Sequence, residues 1–166
     1  MQNSGITMPR RLLVVGGLFA LAATILGSGV AMATPAGPAG GASATTLADG
    51  VTVNSVNVNT DPIKLRTKDQ VEVVQLSNTA NSGWTSGWHM HSGPVFVNIT
   101  GGSLTFYSSS CTKTVVTAGH GYIETPYDPV LARNEGSVQA TWITTQVIPV
   151  GASRRIDKPT GLCGVL

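Results

Sequence analysis

From Val51 onward, apolar and polar residues alternate in short runs with a period of two, which is the period of a strand with one buried face. Val51 and Val53 share a face. The parity slips at Asn54-Ser55, and Val56 and Val58 fall on the other face, which predicts a bulge or bend there. Further strands are predicted over residues 71–76, 88–91, 95–99, 104–107, 113–117, 122–124, 130–133 and 138–148. Gly101-Gly102 predicts a hairpin turn that pairs 95–99 with 104–107. Pro126-Tyr127-Asp128-Pro129 predicts a rigid turn, because each proline fixes its own φ and restricts the residue before it. No window after residue 33 has helical periodicity. Short strands at this spacing, separated by glycine-rich turns, predict an all-β chain: one small antiparallel double-sheet barrel or sandwich.

The N-terminal stretch has a different pattern. Met8-Pro9-Arg10-Arg11 is basic, residues 12–25 are apolar with small residues interspersed, and Ala31-Met32-Ala33 carries small residues where a signal peptidase reads. Residues 1–33 are therefore read as a signal peptide; the competing reading, a transmembrane helix, has a run barely long enough to span. Arg10-Arg11 hints at twin-arginine export, and the route is left open. Residues 34–46 hold little but Ala, Gly, Pro, Ser and Thr, and are read as a flexible leader. Residues 47–166 form the expected folded domain. The expected location is secreted or in the cell envelope, with no stable membrane insertion after cleavage.

Charge excludes one class of partner. The chain carries 10 basic and 8 acidic residues, and removal of Arg10 and Arg11 levels the counts, so nothing points to nucleic acid. Two cysteines, Cys111 and Cys163, read as a disulfide in an exported protein, with two free thiols as the alternative. A bridge there closes a loop of about 50 residues, stabilises by roughly 4 kcal/mol in the chain-entropy model and pins the C-terminal tail.

The candidate chemistry lies at His89-Met90-His91. On a strand these histidines share a face, with Cα atoms about 6–7 Å apart, so both imidazoles can reach one ion. The bland reading is two polar histidines on a wet sheet face. Trp84, Trp88 and Trp142 can line a pocket for a planar ligand or sugar, or be core. No nucleophile elbow, P-loop or dinucleotide fingerprint is present.

The order of Gly87, His89, His91, Gly93-Pro94 and Gly101-Gly102 resembles the first cupin motif. Residues 119–126 followed by 130–136 resemble the second. The whole is most similar to small secreted actinobacterial cupin-domain proteins, which share the His89–Pro94 pattern, Arg133-Asn134-Glu135-Gly136, and Arg155-Ile156-Asp157 before a terminal Cys. The resemblance implies a barrel with one divalent transition metal and a small-molecule ligand. Cupins often dimerise, so a homodimer is open, though no interface is identified. Val95 stands where the family has a motif-one Glu, and Val130 where it has a motif-two His. His89 and His91 thus need a third ligand; the candidates rank Asp128, then Glu124, then His120. The pocket is expected from Trp88, Val95, Val97, Val130 and Asn134. Three functions follow: an exported small-molecule-binding domain with a partial, weakly held two-His metal site; a metal-dependent oxygenase or isomerase; or a structural or interaction domain of the envelope.

Overall fold

The computed structural model describes residues 41–159 and 162–164; the expected signal peptide and residues 34–40 of the expected leader lie outside them. Twelve strands run in chain order: β1 Ala42–Val51, β2 Asn57–Asn59, β3 Lys64–Arg66, β4 Val71–Ala80, β5 His89–Met90, β6 Val95–Gly101, β7 Ser103–Ser108, β8 Lys113–Thr117, β9 Gly121–Glu124, β10 Val130–Arg133, β11 Ala140–Pro149 and β12 Ile156–Asp157. They form two five-stranded antiparallel sheets, ordered β1-β4-β11-β6-β9 and β12-β5-β10-β7-β8, and the separate hairpin β2-β3. This is the all-β, jelly-roll-like double-sheet architecture that the alternation predicts.

The core lies between the sheets because each sheet turns its apolar parity inward. β6 buries Val95, Val97 and Ile99, and β7 and β10 bury Leu104, Phe106, Val130 and Ala132; these meet Trp84 and Trp142 in one cluster. β11 alternates without a break, burying Ala140, Trp142, Thr144, Gln146 and Ile148. Along that inward row, apolar gives way to polar at Thr144 and Gln146.

Two expectations change. The predicted hairpin at Gly101-Gly102 is a crossing between sheets: β6 pairs with β11 and β9, while β7 pairs with β10 and β8. Gly102 makes it possible, with φ of +65° and a position where a Cβ would meet Gln139 O at 2.6 Å. β1 begins at Ala42, inside the stretch read as leader, and pairs with β4 down to Val51↔Glu72. Backbone pairing holds those small residues in place where burial does not.

The C-terminal tail is fastened at four points. β12 pairs with β5, the peptide N–H of Lys158 donates to Trp88 O, the Arg154 guanidinium bridges Asp49 and Glu72, and Cys163 is disulfide-bonded to Cys111. Among the described residues no helix is long and apolar enough to cross a membrane.

Candidate metal centre

His89 lies on β5 and His91 just beyond it, and both side chains are buried. Glu124 ends β9, at the edge of the opposite sheet, and is also buried. One ligand atom from each comes within 4.8 Å of the other two. His91 Nε2 lies 2.9 Å from Glu124 Oε2, and His89 Nε2 lies 4.0 Å from it. The imidazoles meet edge to face, with centroids 4.9 Å apart.

The backbone sets the orientation of both rings. His89 Nδ1 donates to Gly87 O at 2.9 Å, and His91 Nδ1 donates to Arg154 O. A carbonyl only accepts, so each Nδ1 carries a proton, and each Nε2 faces Glu124 with either a lone pair or a second proton. A lone pair 2.9 Å from a carboxylate oxygen is repulsive unless a cation, a proton or a metal, lies between them. Burial lowers the His89 pKa to about 4; Arg155 and His91 add to this and Glu124 opposes it. His89 is therefore a neutral, ligand-competent imidazole at pH 7. Burial works against ionisation of Glu124, but the His91 hydrogen bond, with smaller contributions from the neighbouring His89, His91 and Arg155, holds it below the usual carboxylate range.

These three donors fit a divalent transition metal. Two imidazoles and one carboxylate on one side of an ion leave coordination positions open toward the interior. The second shell is already built, because both Nδ1 atoms are bonded to carbonyls. Arg155 supports it further: NH2 donates to Ser86 O at 2.7 Å, and Ser86 Oγ is 3.4 Å from His89 Nδ1.

The site opens onto a cavity of about 20 Å³, lined among others by Trp84, Val95, Val97, Trp142, Thr144 and Gln146. Of the expected pocket residues, Val95 and Val97 line it. Trp88, Val130 and Asn134 do not. Val130 is in the apolar core and pairs with His89 across β10-β5. Asn134 is used up in holding its loop, donating to Ala80 O and Val138 O and accepting from Gly136 N. Trp88 is buried elsewhere in the fold.

The order of third ligands changes: Glu124, ranked second, moves ahead of Asp128. Asp128 is exposed and accepts a 2.5 Å hydrogen bond from the Ser109 hydroxyl. His120 is exposed beside Thr117, 3.3 Å from its hydroxyl. Glu124 alone of the three reaches the histidines. The sequence reading missed Gln146, although its parity on β11, shared with Ala140, Trp142 and Ile148, marks it as a polar residue on a buried face.

No protein-family model matches the chain, and no curated protein does. Solved structures similar to it include an uncharacterised double-stranded β-helix protein from Klebsiella pneumoniae, at 21% identity over 51% of this chain and 68% of that one, TM-score 0.46. A cupin-like protein from Thermotoga maritima is similar at 12% identity over 52% and 64%, TM-score 0.46. Oxalate oxidase in complex with glycolate is similar at 18% identity over 55% and 49%, TM-score 0.46. The first two are described as a double-stranded β-helix protein and a cupin-like protein.

Proposed function

We propose that this chain is an exported cupin-type metalloprotein domain in which His89, His91 and Glu124 hold one divalent transition metal. The observation that carries the reading is the convergence of two Nε2 atoms and a carboxylate on one buried point, with both Nδ1 protons already committed to backbone carbonyls. The two-His site expected to bind weakly becomes a three-ligand site, because β9 supplies the carboxylate that Val95 lacks. A bound metal would supply Lewis acidity and open positions facing the cavity. The protein residues orient the ligands, exclude bulk water and keep His89 neutral.

The test is metal analysis of exported protein freed of any His-tag. About one equivalent of Fe, Mn, Zn, Cu or Ni is expected, lost in the His89→Ala/His91→Ala variant. Metal-free protein that takes up none of these ions on reconstitution would refute the reading.

A second reading, small-molecule binding, has its own observation. The interior cavity is too small for a sugar, but a groove of about 430 Å³ lies outside it, lined by Arg66, Lys68, Pro94, Pro126, Val147 and Pro149 among others. Apolar walls with the Arg66 and Lys68 cations against one carboxylate, Asp69, suit a carboxylic acid with a hydrophobic body. A melting-temperature increase with such an acid, abolished by Arg66→Ala/Lys68→Ala, supports it; no shift across a panel of such acids would reject it.

A further inference from the structure

The cavity wall contains polar atoms that nothing among the described residues satisfies. Gln146 is fully buried, and neither its Oε1 nor its Nε2 has a hydrogen-bond partner among the described residues. The same is true of Trp84 Nε1. Both side chains line the cavity that His89, His91 and Glu124 also line. Buried polar groups in native proteins are almost always paired, and an unpaired one costs free energy. Gln146 sits between Thr144 and Ile148 on the inward face of β11, where an aliphatic residue would pack at no such cost.

Register explains how Gln146 reaches the site. It lies directly across from Val95 on β6, and Val95 lies directly across from Glu124 on β9. Gln146 and Glu124 therefore flank the same valine on one face of one sheet. Trp84 approaches from the core side, held by Trp142 at a centroid distance of 5.3 Å.

We infer that this cavity binds one small anion of one or two heavy atoms in place of water, held by the Trp84 indole N–H and the Gln146 amide. The indole N–H and the amide NH₂ donate to it, and Gln146 Oε1 can accept a hydrogen bond from it if it carries a proton. A volume of about 20 Å³ accommodates a single such ligand and no organic acid or sugar. This inference rests on the metal reading, since an anion beside Glu124 needs a cation between them. It makes the site one for small inorganic ligands, with organic molecules confined to the outside.

The test uses the mature chain loaded with Co(II), followed by visible absorption during titration with fluoride and, separately, with glycolate. Fluoride is expected to shift the Co(II) bands, and glycolate at the same concentration to leave them unchanged. In Gln146→Leu and in Trp84→Phe the fluoride affinity is expected to fall about tenfold or more, the loss of one hydrogen bond to an anion. Absence of Co(II) bands overturns the metal reading and this inference together. Bands that fluoride does not move, that glycolate does move, or that respond equally in both variants overturn this inference alone. In the metal-free protein, Gln146→Leu is expected to melt at or above the wild-type temperature. A lower melting temperature means the amide is paired without ligand and removes Gln146 from the site.

Discussion

Glu124 lies directly across the β6-β9 ladder from Val95. In the cupin pattern that the sequence resembles, the carboxylate stands at position 95; here it arrives from the next strand. Cross-strand neighbours have Cβ atoms about 4.5–5.5 Å apart, and a glutamate side chain spans that difference. Glu124→Val should therefore weaken metal binding by more than about 100-fold, beyond the range usual for outer-shell changes. Val95→Glu added to Glu124→Val should recover much of the loss. Calorimetric titration of the two variants with Zn(II) checks this; a double variant as weak as the single one would show that position 95 cannot reach the ion.

Acid should destabilise the metal-free protein through the same residues. The folded pKa of His89 is lowered to about 4 from 6.5. Above pH 6.5 both states are neutral, and His89 contributes nothing to the pH dependence. As pH falls from 6.5 toward 4, the unfolded chain binds a proton that the folded one refuses, so stability falls, by about 3 kcal/mol in all. Glu124, held below its usual range, adds a further loss in the same direction at lower pH. Urea unfolding in EDTA at pH 7.5 and 4.5 measures the slope, and His89→Gln should flatten it. Equal stability at the two pH values would contradict the burial of a neutral His89.

Arg154 joins the tail to the site twice. Its guanidinium bridges Asp49 and Glu72, and its carbonyl accepts the His91 Nδ1 proton. The Cys111–Cys163 bridge, closing a separation of 52 residues, anchors the same tail farther on. Cys111→Ser/Cys163→Ser should cost about 4 kcal/mol of stability in the loop-entropy model. It should also lower metal affinity about tenfold, as His91 loses its fixed acceptor. Denaturant melts and metal titrations of the reduced and oxidised wild type test both parts. Unchanged affinity with lowered stability would confine the disulfide to folding.

Gly93 is a packing position. A Cβ there would lie 1.9 Å from Val147 O and 2.9 Å from Val147 C, and both of those atoms belong to backbone. Gly93→Ala should cost several kcal/mol, because β11 or the segment after His91 must move. A circular-dichroism melt suffices to check it; a loss under 1 kcal/mol would mean the segment shifts freely.

Much of the fold was legible because alternation reports a sheet with one buried face. The run over 138–148 maps onto β11 within two residues at its start and one at its end. Elements with no buried face were misread or missed: the alternation over 51–58 touches β1 only at Val51 and β2 only at Asn57 and Val58, with 52–56 outside any strand, and β2 and β3 are exposed throughout and β1 mostly so. Gly101-Gly102 misled because a glycine pair permits either a hairpin or a crossing, and the pairing partners that decide lie far away in sequence. His89 and His91 were legible from their shared parity. Glu124 was underrated because its proximity depends on β9 joining β6, a long-range pairing that spacing does not encode. Asp128 looked nearer in sequence than it is in space.

β9 is four residues long and forms the outer margin of its sheet, bonded on one side only to β6. Strands so placed open locally at a small fraction of the cost of global unfolding. The carboxylate that completes the site thus rides on one of the parts of the wall most easily released, while both histidines are held by the tail. For an ion held as proposed, entry and exit would then need only a transient peeling of residues 121–124. The two sheets would stay together, and the off-rate of the metal would be set by the fraying of one short strand.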